Sequence, residues 1–168
     1  MNNALFEEKY NLYSSLIYKL AMTYLGSVHD AEDITQEVFT KLFIRTKEFE
    51  NDEHERYWVI RVTVNMCKNN LKTFWKRYIL PIEEAADKTD SLHNDDTVKM
   101  LMSLKPKYRI VLYMFYYEGY SIKETADILS ISESCVKMRL KRGKEKLKLN
   151  IEEENYGQEG VYSCNRQF

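Results

Sequence analysis

The sequence predicts an all-α protein made of two small helical domains joined by a flexible linker. The chain has 168 residues, 44% of them apolar, but contains only 5 Gly and 2 Pro. A sandwich or barrel of many strands would need more of these turn residues. Apolar residues instead recur at helical spacing on both sides of a polar, acidic stretch. The apolar fraction is large enough to build a core, so an ordered protein is expected.

Apolar stripes predict the first two helices. Residues 7–25 place their apolar and aromatic side chains on one helix face, and Gly26 is expected to end that helix. Ser27 and Asp30 have capping-box spacing at the start of the second helix. Its acidic first turn complements the positive end of the helix dipole, and its apolar stripe continues to about residue 47.

The third segment, residues 57–77, is compatible with either a helix or a strand. Over residues 60–66, β-branched side chains alternate with polar ones, as in a half-buried strand. Trp58, Val62 and Met66 equally form a helical stripe. Intrinsic propensity does not decide between the two.

An acidic linker is predicted between the domains. Residues 81–96 are polar, acidic and poor in aromatic side chains, which suits a connector better than a packed element. Residues 97–117 are predicted to form two short helices broken at Pro106. From about residue 150 the sequence has no periodicity, which predicts a flexible tail over residues 150–168.

A helix-turn-helix is predicted in the second domain. Ser121 and Glu124 have capping-box spacing before a helix over residues 122–129, and Ser132 is the expected N-cap of a longer helix that reaches about residue 147. In this motif the second helix enters the major groove of DNA. Five of its residues can reach bases or phosphates: Lys137, Met138, Arg139, Lys141 and Arg142. The alternative is a plain helical hairpin with a solvated basic face; the paired caps and one-sided charge favour the motif.

The net charge of −1 is the sum of separate acidic and basic segments that nearly cancel. Residues 30–55 and 83–96 are strongly acidic, whereas residues 61–78 and 137–148 are strongly basic. Two basic segments divided by an acidic connector suggest two separate surfaces for a polyanion. Charge alone slightly favours the simpler interpretation, two solvated helix faces.

Both halves of the chain resemble one family. Residues 108–148 resemble the promoter-reading domain of the extracytoplasmic-function (ECF) sigma factors of bacterial RNA polymerase. Residues 30–43 resemble the polymerase-binding helix of that family, and residues 57–77 its promoter-melting helix. The match covers about residues 5–148 in the right order, and it favours a helix over residues 58–66.

The resemblance implies a dissociable specificity subunit with no catalytic activity of its own. Residues 1–80 would bind polymerase and melt the minus-ten element, residues 81–96 would connect the domains, and residues 97–149 would read the minus-thirty-five element. The partners implied are core RNA polymerase, through its β′ coiled coil and β flap, promoter DNA and an anti-sigma factor. No cofactor is implied. Two alternatives remain: a helix-turn-helix regulator that dimerises without polymerase, and a polymerase-binding interaction protein without sigma activity.

The resemblance also implies individual site residues. It places the polymerase contact at Asp33, Gln36, Glu37, Phe39 and Leu42. It places the minus-ten contacts on the third segment, at Trp58, Arg61, Asn65, Asn69, Lys72, Lys76 and Arg77, with Lys68 also following the DNA backbone. The acidic residues 49–55 match a loop that captures a flipped base. Asparagine offers a donor and an acceptor to a base edge, whereas Trp58 suits either stacking or a core position, and Gln36 and Glu37 suit a solvated surface equally well.

Three departures from the family pattern concern the second domain. Ser130 stands where the family usually has Gly, in a turn whose backbone can be left-handed. Ser134 and Cys135 replace Gly-Thr, and Met138 replaces a common Ser, so the reading face differs from the family pattern and a different promoter sequence is expected.

Metal and membrane sites are not expected. The three cysteines, Cys67, Cys135 and Cys164, lack the close spacing of a metal site or a disulfide framework. The three histidines lie in unrelated segments. No stretch is apolar enough to span a membrane and the first residues do not resemble a secretory signal, so a cytoplasmic protein without membrane insertion is expected.

Overall fold

The structure is a computed structural model that describes residues 3–77 and 101–163. In chain order its elements are α1 (Asn3–Leu25), α2 (Val28–Ile44), α3 (Asp52–Arg77), α4 (Pro106–Leu112), a π-helical turn (Tyr113–Tyr117), α5 (Ile122–Leu129) and α6 (Glu133–Ser163). These residues contain no strand, so the all-α prediction is confirmed. The linker predicted at residues 81–96 lies outside the described residues. No helix in the described part is both long and apolar enough to cross a membrane.

The first domain is a bundle of α1, α2 and α3, with α1 packed against both other helices. Gly26 ends α1 with a positive φ of 74°, and its amide donates to the Met22 carbonyl at 2.8 Å. This left-handed conformation suits glycine and explains why the helix stops there. Ser27 then caps α2 by accepting a hydrogen bond from the Asp30 amide at 3.3 Å, as its position predicts.

Packing resolves the ambiguous third segment as the helix α3. Val59, Ile60 and Val64 are fully buried at helical spacing. The Thr63 hydroxyl donates to the Val59 carbonyl at 2.8 Å, a bond to the residue four positions back that is typical of a helix. Cys67 lies on the same buried face, and burial raises the pKa of its thiol to about 12.

The second domain is built from α4, the π-helical turn, α5 and α6. Pro106 begins α4 at a position where its missing amide donor costs nothing. Ser121 and Glu124 form the predicted capping box, with reciprocal hydrogen bonds of 2.8 and 3.2 Å. Ser130 has the left-handed backbone expected for that turn, with φ 53°, and the Ser132 hydroxyl caps α6 by accepting from the Cys135 amide at 3.2 Å.

Two predicted helix ends are wrong. The second helix ends at Ile44 rather than about residue 47, because Arg45 turns into extended backbone. The last helix does not end near residue 147; α6 continues to Ser163 and includes most of the segment predicted as an irregular tail. Extending an existing helix is cheap compared with nucleating one, and residues 150–163 contain no Pro to stop it.

Candidate nucleic-acid and polymerase surfaces

The helix-turn-helix presents one side of α6 to solvent. Ala126 and Ile128 of α5, with Val136 and Leu140 of α6, are buried where the two helices cross. The Ile131 amide donates to the Ala126 carbonyl at 3.0 Å and closes the turn between them. Four of the five predicted contact residues are exposed: Lys137, Met138, Lys141 and Arg142. These side chains and the capped start of α6 form a basic surface that fits a DNA groove.

Arg139 differs from the other four because it is half-buried and directed toward the first domain. Its charge acts on two groups there: it opposes the rise that burial causes in the pKa of Tyr24, and it adds to the fall that burial causes in the pKa of Lys68. Arg139 therefore lies close to α1 and α3 rather than on the open side of the helix.

A polar stripe runs along the exposed side of α3. Arg61, Asn65, Asn69 and Lys72 follow each other at intervals of three or four residues, and all are exposed. The buried face with Ile60 and Val64 lies on the other side of the helix, so the same amphipathic pattern that packs α3 also exposes these four residues. The backbone at Lys76 and Arg77 is helical, while their side chains lie outside the described set.

Trp58 forms part of an aromatic cluster at the start of α3. Its ring lies 5.5 Å from that of Phe49, and the Phe49 ring lies 5.7 Å from that of His54. The Arg45 guanidinium carbon lies 4.3 Å from the Phe49 ring centre and 5.0 Å from the Trp58 ring centre. Trp58 is half-buried, so it both packs and leaves part of its ring accessible. Sequence reasoning did not identify Arg45 and His54. The four-residue spacing of His54 and Trp58 within α3 was an available signal, whereas Arg45 follows the end of α2 and had no signal of this kind.

The acidic residues 49–55 do not form the single loop that was predicted. Asp52 begins α3, so only residues 49–51 of this range precede the helix. Glu55 is 5% exposed, and its carboxylate accepts from the Lys9 ammonium of α1 at 2.8 Å. This hydrogen bond raises the pKa of Lys9. Glu55 therefore holds α3 against α1 and is not available to a base.

The predicted polymerase surface on α2 needs a correction. Asp33, Gln36 and Glu37 are exposed on one helix face, as expected. Phe39 and Leu42 are only 4% and 6% exposed, because they belong to the opposite, apolar face of the helix. The Phe39 ring packs 5.0 Å from Tyr10 and 6.0 Å from Phe6 of α1. These two residues stabilise the domain and are not available to a partner.

Ile44 is an apolar residue that the sequence analysis missed on this surface. Its side chain is 68% exposed, the most of any large apolar residue in the described part of the chain. At about 100° per residue it lies on the same helix face as Asp33, Gln36 and Glu37. Phe43, the preceding residue, is also exposed, at 47%. The available signal in the sequence was an isoleucine whose helical spacing places it on the same face as these polar residues.

Two sigma-factor family models match the chain. The model described as "Sigma-70 region 2" matches residues 10–77, and the model described as "Sigma-70, region 4" matches residues 95–147. The chain is 28% identical to the ECF RNA polymerase sigma factor SigW of Bacillus subtilis, over 87% of this chain and 88% of SigW. It is 26% identical to the ECF RNA polymerase sigma factor SigM of Mycobacterium tuberculosis, over 84% of this chain and 74% of SigM.

Solved structures give the same fold. The sigma factor RpoE of Bartonella quintana, determined in complex with the anti-sigma factor NepR, superposes with a TM-score of 0.66 at 17% identity, covering 88% of this chain and 96% of RpoE. CnrH, determined in complex with the cytosolic domain of CnrY, superposes with a TM-score of 0.60 at 19% identity, covering 90% of each chain. Both halves of the chain thus match one family in sequence, and their helices match it in structure. The chain belongs to the ECF sigma factors of bacterial RNA polymerase.

Proposed function

We propose that this protein binds core RNA polymerase through α2 and directs transcription initiation at promoters that it reads with α3 and α6. The observation that carries the proposal is the coincidence of two independent patterns. The segments that match sigma-70 regions 2 and 4 are the same segments that form the exposed polar stripe of α3 and the exposed basic side of α6. A chain with only one of these surfaces could recognise only one promoter element.

The surface of α6 suits duplex DNA at the minus-thirty-five element. Lys137 and Lys141 can donate to guanine edges or phosphates in the major groove, and Arg142 can donate in a bidentate manner. Met138 is 42% exposed and supplies an apolar contact of the kind that a thymine methyl group accepts. The positive end of the α6 dipole adds an attraction for a phosphate at the start of the helix.

The surface of α3 suits the minus-ten element at the point where the strands separate. Asn65 and Asn69 lie one helical turn apart and can each pair a donor and an acceptor with a base edge. The cluster of Arg45, Phe49 and Trp58 offers a cation and two aromatic rings near the start of the same helix. Unstacked bases bind to such rings largely irrespective of their identity.

The exposed face of α2 suits a helical partner, for which we propose the β′ coiled coil of the polymerase. Asp33, Gln36 and Glu37 provide polar contacts around the exposed Ile44, an arrangement of polar rim and apolar centre that is typical of protein interfaces. We further propose contact of the second domain with the β flap and regulation by an anti-sigma factor. Support for the latter is that the structurally similar RpoE was determined with the anti-sigma factor NepR.

Run-off transcription tests the function directly. Purified chain is added to core polymerase on a pool of promoter fragments, and the transcripts are mapped. Sigma activity predicts defined start sites that require the chain, and a 1:1 complex with core polymerase. The double variant Lys141→Ala and Arg142→Ala should retain that complex and lose minus-thirty-five recognition. A stable dimer on duplex DNA with no affinity for polymerase would instead identify a conventional regulator.

A further inference from the structure

Helix α6 packs against α4 at a glycine. Gly143 is buried, and a Cβ atom there would lie 3.0 Å from Leu112 Cδ1 and 3.5 Å from Tyr108 Cβ. Tyr108 and Leu112 lie one turn apart on the same face of α4, with 7% and 4% of their surface exposed. The missing side chain of Gly143 therefore lets α4 approach α6 closely. It seats the Tyr108 ring against α6 at the residue that follows Arg142.

The Tyr108 hydroxyl lies next to Arg142, one of the residues proposed to contact DNA. Although the ring is buried, its hydroxyl reaches the surface and is hydrogen-bonded to the Arg142 side chain. A guanidinium can only donate hydrogen bonds, so the Tyr108 oxygen is the acceptor. Lys107 supplies a second cation, because its ammonium lies 5.1 Å from the centre of the Tyr108 ring and also reaches the hydroxyl.

The pKa of Tyr108 agrees with this arrangement. Burial raises the pKa, but the charge of Lys107 and the hydrogen bond and charge of Arg142 outweigh that effect and lower it below the ordinary value of 10.0. Both cations thus lie close to the phenolic oxygen. None of the ion pairs between described residues involves Lys107 or Arg142, so no carboxylate there competes with an anion for them.

The hydrogen bond to Tyr108 leaves most of the Arg142 donors free. A guanidinium has five N–H donors, and the remaining ones can bind a phosphate or a guanine edge through two parallel hydrogen bonds. An exposed arginine samples many rotamers and loses that freedom when it binds a ligand. Because Tyr108 restricts the side chain before DNA arrives, less freedom is lost on binding.

We propose that Tyr108 is a positioning residue that holds Arg142 in the orientation in which it contacts promoter DNA. The inference rests on the proposed function, because it assumes that α6 reads the minus-thirty-five element. Tyr108 acts through Arg142 and does not itself contact a base. The role belongs to the hydroxyl, since the ring packs against Gly143 whether or not the hydroxyl is present.

A double-mutant cycle tests the proposal on the full chain bound to core polymerase, with promoter affinity measured by fluorescence anisotropy. Tyr108→Phe keeps the buried ring and should weaken promoter binding by about threefold to tenfold. Arg142→Ala should weaken it by at least as much. In the Arg142→Ala background, Tyr108→Phe should change the affinity by less than about 1.5-fold, because the residue on which it acts is absent.

Tyr116→Phe is the matched control. The Tyr116 ring also lies beside a lysine of α6, with the Lys144 ammonium 5.2 Å from its centre, but it is exposed on the π-helical turn. Removing its hydroxyl should leave promoter affinity unchanged. Circular dichroism should show that both phenylalanine variants are folded at the assay temperature. A variant that acted only by loosening the domain would weaken binding in the Arg142→Ala background as well.

Nitrogen-15 relaxation of the arginine side chains provides a measurement that needs no DNA. In the free wild-type chain, the Nε–H group of Arg142 should give a higher heteronuclear NOE than in Tyr108→Phe, because this observable reports motion on the picosecond-to-nanosecond timescale. The half-buried Arg139 serves as the internal reference and should give the same value in both proteins.

Four results would overturn the positioning role. They are wild-type promoter affinity of Tyr108→Phe, an equal loss in the wild-type and Arg142→Ala backgrounds, an equal loss for Tyr116→Phe, and unchanged mobility of Arg142 in Tyr108→Phe. Absence of run-off transcripts with the wild-type chain would refute the proposed function instead. The relaxation comparison does not depend on transcription, so the two failures are distinguishable.

Discussion

Alanine substitution of Lys141 tests whether α6 reads the minus-thirty-five element. The side chain is exposed on α6, on the side away from the buried Val136 and Leu140 contacts. Lys141→Ala should therefore change the free energy of unfolding by less than ~0.5 kcal/mol. Any larger effect on promoter binding then reports a lost contact with DNA and not a damaged fold.

The expected size of the effect depends on what Lys141 contacts. A lost base contact costs about 1–3 kcal/mol, which is about 5- to 150-fold in the affinity of the holoenzyme for its promoter. That loss would appear at one base pair of the minus-thirty-five element and disappear when this base pair is changed. A lost phosphate contact would instead weaken all sequences alike and reduce the slope of log affinity against log salt by about 1.

The assay is fluorescence anisotropy of the holoenzyme with labelled promoter DNA at several salt concentrations, with each base pair of the element substituted in turn. Lys146→Ala is the matched control, because Lys146 is exposed on the same helix but lies ~140° around its axis from Lys141. Equal losses for Lys141→Ala and Lys146→Ala would show that only the general charge of α6 matters. The assignment of a reading face would then be wrong.

Three further predictions test the fold and the polymerase surface. Ser130→Gly should raise the free energy of unfolding by about 0.5 kcal/mol in a denaturant titration, because relief of a left-handed serine outweighs the extra chain entropy of glycine; a destabilised variant would contradict this. Phe39→Ala should cost about 3–5 kcal/mol of stability, whereas Ile44→Ala should leave stability unchanged and weaken binding to core polymerase in a pull-down titration. Lys9→Ala should cost about 3 kcal/mol by leaving the buried Glu55 carboxylate unpaired. Since the pKa of Lys9 is raised in the folded state, its stabilising effect should persist at neutral pH and be lost as the pH rises above the ordinary value of 10.5, which pH-dependent thermal unfolding would measure.

Local sequence signals determined the helix starts and the turn of the second domain. Ser27, Ser121 and Ser132 cap helices where their positions predict, because an N-cap hydrogen bond involves only residues three apart in the chain. Ser130 takes the left-handed backbone that the turn requires. The exposed stripe of α3 also follows from periodicity, once that segment is known to be helical.

Contacts between distant segments decided the remaining features. Propensity leaves α3 ambiguous, and the fully buried Val64 settles it only through packing against the rest of the bundle. The burial of Phe39 likewise depends on the aromatic side chains of α1.

The sequence by itself determined a largely helical chain with two basic segments, because charge and periodicity are properties of short segments. Only the tertiary structure decided that these segments lie together, with Arg109 against the Tyr24 carbonyl of α1 and Arg56 against Glu118. Such pairings join residues 85 and 62 positions apart, and no local pattern encodes which distant carbonyl or carboxylate a given arginine will meet.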